Sequence, residues 1–384
     1  MVEFVKSSKA QPPVEIAADA PQAPLPEELL REMKPEFTCA GYLRLILMLF
    51  VCFWAFGCPE PTGFVTVLSG FATPAFFILS GYFTLVDDPE RRLHKIVRKI
   101  KRTFFCTIFV FVLYAIINGV LMYMHGMTLA VGKRMLFNFF VLNLWPLPIG
   151  DNFWFIQSLL YAYIALFVLE KLKLMRFYKV FLVITVLAML LMGEFAGVIG
   201  FNFLGYPYIP GNWLTRALPY LLLGRLLREK RESLLNIPKF IHIIQFVIGG
   251  GLVILELFVL ARNGLLLYEG HMMGYGVMAL AVCCFALSVP FEVPNRILHF
   301  DPSLSGLIYI FLNPVYCLLM IFVGAMYPRF AYYMCGITAL VVSFVLAFLI
   351  SPTRLSDLFF TNWEMRLDHF YELGGDDEML EGEM

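Results

Sequence analysis

Long apolar segments separated by short polar loops constrain this chain more than any other feature. A helix needs roughly 20 apolar residues to cross a bilayer, and about ten segments near that length lie between residues 40 and 350. Of the 384 residues, 60% are apolar and 15% charged, whereas soluble domains average about 45–50% and about 25%. The expected spans are 40–57, 63–86, 103–124, 152–171, 178–199, 213–228, 239–261, 271–290, 304–326 and 329–350. The sequence therefore predicts an all-α, polytopic membrane protein with about ten transmembrane helices.

The positions of lysine and arginine predict the orientation, because short cytoplasmic loops are enriched in both. Seven of these residues lie between 91 and 102, after the second span, whereas the loops at 58–62 and 200–212 contain none. With an even number of spans, this bias places both termini in the cytoplasm. Residues 135–149 contain Pro146 and Pro148, and we expect them to be interfacial or re-entrant rather than spanning.

The chain divides into a membrane domain and two tails. Residues 1–38 are rich in proline and alanine and have no apolar core, so we expect a disordered cytoplasmic lead rather than a cleaved signal peptide. The membrane domain covers 39–351, with membrane lipid around it, and 352–384 form a short amphipathic segment and an acidic tail. The tails offer docking segments for protein partners. No nucleic-acid partner is expected, and no metal, because the eight cysteines include no C-x-x-C pair.

Charged residues inside the spans mark candidate functional positions, because a charge at the bilayer centre costs about 2.5–3.5 kcal/mol on insertion scales. Four candidates stand out, namely Arg44, Glu194, Arg216 and Glu256. Arg44 lies early in its span, where its long side chain can also reach the interface. Glu194 lies near the outer end of its span, where a solvated carboxylate is the simpler interpretation. Glu256 is nearer mid-span and needs a partner or a proton.

Six motifs follow one another along the spans. They are the first span with Arg44, 74–82 (PAFFILSGY), 98–102 (RKIKR), 151–156 (DNFWFI), 218–225 (LPYLLLGR) preceded by Arg216, and 305–314 (SGLIYIFLNP). In the second motif, Ser80 and Gly81 allow close helix approach, and Ser80 supplies a hydroxyl. In the basic motif, residues three apart share a helix face. Two cations on one face suit either a phosphate or anionic lipid.

Together the six motifs resemble the acyltransferase-3 family of integral-membrane O-acyltransferases. The resemblance implies transfer of an acyl group from cytoplasmic acyl-CoA, with acetyl-CoA as the expected donor. The implied acceptor is a sugar hydroxyl on an envelope glycan or a lipid-linked saccharide, at a bacterial plasma membrane. The implied catalytic residues are Arg44, Ser80, Arg216 and Asn313, and the implied residues for the phosphates of coenzyme A are Arg98, Lys99, Lys101 and Arg102.

The chain departs from the family pattern at the position of a histidine in the first helix. Trp54 and Ala55 stand there, and a later histidine of the family is replaced by Asn313. Histidine is the side chain best suited to deprotonate a hydroxyl near neutral pH, whereas an indole has no basic lone pair. Candidate replacements are His271 or Glu256 as the base, with Cys52 as an acyl carrier.

Two functions stay open at this point. One is an acyltransferase with a shifted base, and the other is a catalytically inactive family member that serves as a ligand-binding, transport or assembly subunit. An unrelated secondary transporter would need broken helices and inverted repeats. Only the three glycines at 249–251 suggest a loosened helix, and no repeat is visible.

Overall fold

The structure, a computed structural model, describes residues 39–59, 63–124, 133–140, 142–143, 153–194, 196, 200, 212–263, 272–289, 304–324 and 326–350. Within these ranges the chain is helical and contains no strand, which confirms the predicted all-α class. The helices are α1 Cys39–Phe56, α2 Phe64–Thr84, α3 Pro89–Met124, α4 Lys133–Phe140, α5 Phe153–Lys171, α6 Tyr178–Met189, α7 Leu218–Glu229, α8 Arg231–Leu235, α9 Lys239–Arg262, α10 Met273–Ser288, α11 Leu304–Leu319 and α12 Pro328–Ile350.

Several helices contain or adjoin irregular turns. Helix α2 includes a 3₁₀ turn at Ser69–Phe71, and another, Leu174–Phe177, precedes α6. Turns of π-helix extend the ends of α6 (Leu190–Glu194) and α11 (Met320–Gly324), and a third, Trp213–Ala217, leads into α7. Such π-helical turns are rare and occur frequently at functional sites. The third one contains Arg216.

The lengths and apolar compositions of the helices identify a membrane protein. Within the described ranges, six helices are long and apolar enough to cross a bilayer. They are Phe64–Thr84, Pro89–Tyr123, Phe153–Lys171, Leu174–Met192, Lys239–Arg262 and Leu304–Gly324. Shorter apolar helices cover Tyr42–Phe56, Met273–Ser288 and Met334–Ile350. The count of ten crossings stays a prediction, and the tails at 1–38 and 351–384 lie outside the described residues.

The lengths of α3 and α4 can be compared with the predicted spans. Helix α3 begins at Pro89 rather than near 103 and has 36 residues, which gives a length of about 54 Å. Because the hydrocarbon core is about 30 Å thick, the basic first part of α3 extends beyond the length needed for a span. Helix α4 has 8 residues, too few to cross a bilayer, and the predicted interfacial or re-entrant segment 135–149 continues into residues outside the described ranges.

Helix α2 lies at the centre of the bundle, where it contacts α1, α3, α7 and α10. Its backbone meets that of α7 at two glycines, because a Cβ on Gly81 would overlap the carbonyl of Leu221 and a Cβ on Gly224 would overlap the carbonyl of Ile78. The close helix approach predicted at Gly81 is therefore confirmed. The glycines at 249–251 do not interrupt α9, so the suggested loosening of this helix is wrong.

Candidate functional site

One line of side chains along α2 is accessible although the rest of this segment is buried. Phe76, Ser80 and Phe83 are partly exposed, and every other residue from Ser69 to Val86 is buried. Residues spaced four and three apart lie on one helix face. We call this face, together with the residues of α1 and α5 that it contacts, the α2 cleft.

Contacts from the accessible line show which helices enclose the α2 cleft. The guanidinium carbon of Arg44, on α1, lies 4.9 Å from the centre of the Phe83 ring. Two turns away, the rings of Phe76 and Phe155, on α5, lie 6.2 Å apart. Phe155 also contacts Tyr309 of α11, at 5.2 Å between ring centres. The cleft therefore runs between α1, α2 and α5, with Arg44 at one end.

Ser80 forms a hydroxyl pair in the middle of the α2 cleft. Its Oγ lies 2.8 Å from the Oη of Tyr163 on α5, and either hydroxyl can donate. Tyr163 is only 1% exposed, whereas Ser80 is partly exposed. Ser80 was predicted from its motif, but Tyr163 was not, because it lies 83 residues away in the sequence.

Arg216 lies at the other end of the site, held between two indole rings. Its guanidinium carbon is 4.7 Å from the ring centre of Trp154 and 5.7 Å from that of Trp54. The residue is 6% exposed, and each ring contact stabilises a cation by about 0.5–2 kcal/mol. Trp154 precedes Phe155, which lines the α2 cleft, and the turn Trp213–Ala217 that carries Arg216 contacts both α5 and α2.

A capping box at Asn212 fixes the π-helical turn that carries Arg216. The Asn212 side chain accepts hydrogen bonds from the backbone N–H groups of Leu214, at 2.9 Å, and Thr215, at 3.0 Å. Both Asn212 and Thr215 are buried. Since the cap satisfies two of the donors that a helix start leaves without partners, the turn has a defined conformation and presents Arg216 to the two indoles.

The structure shows what occupies the place expected for a catalytic histidine. Trp54 uses its indole face to contact the cation of Arg216, and an indole cannot accept a proton from a hydroxyl. Asn313, at the second such place, is buried on α11, where its Oδ1 accepts from the Cys317 thiol at 3.2 Å. His271 and the side chain of Glu194 lie outside the described residues.

Two of the candidate replacement groups have structural roles. Glu256 accepts a hydrogen bond from the backbone N–H of Gly274, at 3.1 Å, in the first turn of α10, where a carboxylate complements the helix dipole. Its predicted need for a partner is therefore met. Cys52 is 0% exposed, and its thiol donates to the carbonyl of Gly336 at 3.1 Å. An enclosed thiol is poorly placed to receive an acyl group.

The basic motif lies on the first part of α3. Lys101 is exposed, and Arg98, Lys99 and Arg102 are partly exposed. Earlier on the same helix, Arg92 is buried and pairs with Glu170 on α5 through two bonds of 2.8 Å. Arg92 was not singled out by the sequence, and its partner excludes it from binding a phosphate in this arrangement.

Three arginines from neighbouring helices donate hydrogen bonds at the end of α2 that is predicted to face the cytoplasm. Arg92, Arg225 and Arg228 each donate to backbone carbonyls at or just after this helix end, over 2.8 to 3.2 Å. A helix leaves its last four carbonyls without partners, and a buried carbonyl needs a donor. The carbonyls belong to Tyr82, Leu85, Val86 and Asp87.

An exposed ion pair lies at the end of α7. Glu229 accepts from the Nζ of Lys179 at 2.6 Å and from the hydroxyl of Tyr178. Both hydrogen bonds lower the pKa of Glu229 below its usual value, and the bond from Lys179 has the larger effect. The pair joins the first turn of α6 to the last residue of α7, and Glu229 lies just beyond the predicted span 213–228.

Comparison with known proteins adds no relative. The chain matches no protein-family model, no curated protein and no solved structure.

Proposed function

We propose that this chain is a membrane acyltransferase of the acyltransferase-3 type, with ten spans and both termini in the cytoplasm of a bacterial plasma membrane. The observation that supports this most is in the α2 cleft, where Arg44, from one motif, contacts Phe83, about one helix turn from Ser80 of another motif. A chance match of unrelated motifs would have no reason to place Arg44 against the accessible face of α2 that carries Ser80.

In this proposal the donor and the acceptor enter from opposite ends of the cleft. Acyl-CoA, with acetyl-CoA as the first donor to test, places its phosphates near Arg98, Lys99, Lys101 and Arg102 and its thioester near Arg44 and Ser80. The acceptor is a sugar hydroxyl that approaches from the Arg216 end. Its oxygen attacks the thioester carbonyl, the C–S bond breaks as the ester C–O bond forms, and the hydroxyl proton ends on the sulfur of coenzyme A.

The second candidate is a catalytically inactive protein that binds the same ligands. The contact of Trp54 with Arg216 favours it, because the expected base is replaced by a group that stabilises a cation. Loss of a general base typically costs about 10²–10⁴-fold in rate. Such a protein would bind acyl-CoA without turnover and act as a transport or assembly subunit, with its tails as docking segments.

The first experiment measures thioester loss and transfer of labelled acetyl groups by protein in lipid nanodiscs, with cell-envelope extract as the acceptor. The variants are Arg44→Ala, the charge-conserving Arg44→Lys, and Arg262→Ala as a control. Arg262 is an exposed arginine that contacts the Phe258 ring at 4.9 Å. We expect turnover that is lost in Arg44→Ala and kept in the control. Turnover that survives Arg44→Ala would place the site elsewhere, and binding without turnover would support the inactive protein.

A second experiment tests the basic motif by equilibrium binding of acetyl-CoA. Reversing two charges, Arg98→Glu with Arg102→Glu, is expected to weaken binding, because the phosphates lose two cations and gain two repulsive charges. The control is Arg176→Glu, at an exposed arginine of another predicted cytoplasmic loop. Equal affinity in all three proteins would favour the lipid-anchor role of the motif.

A further inference from the structure

The hydroxyls of Ser80 and Tyr163 form a hydrogen-bonded pair in which either can donate, but they differ in exposure. Tyr163 is 1% exposed, so its hydroxyl is enclosed next to Ser80, whereas Ser80 is partly exposed. Ser80 is the polar member of the accessible line, between two phenylalanines. When Tyr163 donates to Ser80, the O–H of Ser80 can point into the cleft as a donor.

Rigid packing holds this donor in place. Next to Ser80, Gly81 brings the α2 backbone against that of Leu221, and a Cβ there would overlap the Leu221 carbonyl. Helix α2 therefore cannot rotate about its axis without separating from α7. Donors that are fixed before the reaction stabilise developing charge without a reorganisation cost, and a hydroxyl that itself accepts a hydrogen bond is a stronger donor.

We infer that Ser80 donates a hydrogen bond to the carbonyl oxygen of the acyl thioester and to the oxyanion that forms there, and that Tyr163 is its positioning residue. This inference rests on the proposed function. In the addition step the acceptor oxygen bonds to the carbonyl carbon and the C=O electron pair moves onto the oxygen that Ser80 contacts. In the elimination step that pair returns, the C–S bond breaks, and the acceptor's proton ends on sulfur. Ser80 keeps its own proton throughout.

This role differs from that of a nucleophile or a base. A neutral serine needs an adjacent base to attack a thioester, and the described neighbour of Ser80 is a phenol. Donating a hydrogen bond requires no change of protonation. Ser80 can therefore polarise the thioester carbonyl even though the family's histidine is replaced.

Kinetics give the first test. Loss of one oxyanion donor typically lowers kcat by about 10²–10³-fold, so we expect that effect from Ser80→Ala, with KM nearly unchanged and partial rescue in Ser80→Thr. Tyr163→Phe is expected to lower kcat by about 2–10-fold, the worth of one ordinary hydrogen bond, and to have no further effect once Ser80 is alanine. The controls are Ser69→Ala and Tyr275→Phe, whose hydroxyls donate to the carbonyls of Val65 and Val67.

An infrared measurement separates this inference from the proposed function. The probe is a ketone analogue of acetyl-CoA in which a methylene replaces the thioester sulfur. A hydrogen-bond donor lowers the stretching frequency of the bound carbonyl, and we expect Ser80→Ala to abolish that shift while the analogue still binds. An unchanged shift with bound analogue would overturn the role of Ser80 and leave the proposed function standing. No binding of the analogue to the wild-type protein would overturn both.

Discussion

Replacing Arg92 with alanine is expected to destabilise this protein strongly, because it leaves the largely enclosed carboxylate of Glu170 without this partner. Arg92 and Glu170 form two hydrogen bonds of 2.8 Å, and both side chains are 9% exposed. The remaining Nη1 donates to the carbonyls of Val86, at 2.9 Å, and Asp87, at 3.0 Å. The arginine therefore joins the α2–α3 connection to α5.

The size of the effect follows from what each change leaves behind. Removing one partner of a buried ion pair costs about 3–5 kcal/mol, which is a factor of about 10²–10⁴ in the folding equilibrium. Arg92→Ala should reach that range, since Glu170 loses both bonds and two carbonyls lose a donor. Glu170→Ala should cost less, because Arg92 keeps its two carbonyl acceptors. The double change to leucine removes both charges, and its cost should lie well below the sum of the single ones.

The assay is unfolding of the purified protein in mixed micelles by titration with a denaturing detergent, followed by tryptophan fluorescence. The control is Lys179→Ala, which breaks an ion pair whose side chains are 59% and 31% exposed and should change the free energy of unfolding by less than about 1 kcal/mol. The reasoning fails if Arg92→Ala costs no more than this control, or if the double variant loses the full sum of the single effects.

Three further predictions concern packing, pH and the missing base. Gly224→Ala should lower the free energy of unfolding by about 1–3 kcal/mol, because the added Cβ would overlap the α2 backbone. Gly251→Ala should leave the stability unchanged or raise it, because no atom lies within 4 Å of the added Cβ. Thermal unfolding of both variants measures the difference. The hydrogen bond from Lys179 lowers the pKa of Glu229 below its usual 4.5, so this pair should stabilise the fold fully above that pH and lose its effect as pH falls through the folded-state pKa. The melting temperature of Glu229→Gln should therefore fall less than that of the wild-type protein as the pH is lowered. An equal fall in both proteins would contradict this coupling between the pKa of Glu229 and stability. Trp54→His should raise acetyl transfer by up to about 10²–10⁴-fold, and an unchanged rate of thioester loss would show that the base is not what the site lacks.

The sequence predicted the helices better than it predicted the pairs between them. Apolar length marked the helices closely, because a bilayer requires about 20 apolar residues wherever the chain crosses it. It also indicated that Gly81 would lie at a helix contact, since small residues allow backbones to approach. The pairing of Arg92 with Glu170, 78 residues apart, and that of Ser80 with Tyr163 depend on which helices become neighbours, and no local pattern carries that information.

The two arginines expected in the site are associated with different levels of α1. Arg44 contacts Phe83, whereas Arg216 contacts Trp54, ten residues beyond Arg44 on α1, which is a rise of about 15 Å along the helix. Because Arg44 contacts Phe83, about one helix turn from Ser80, we expect an acetyl group beside Ser80 to lie nearer to Arg44 than to Arg216. If both arginines act, they must act on different parts of the ligands, Arg44 on the donor and Arg216 on the acceptor. Changes at Arg44 should then alter the dependence of the rate on acetyl-CoA, changes at Arg216 should alter the dependence on the acceptor, and identical effects of both would contradict this division.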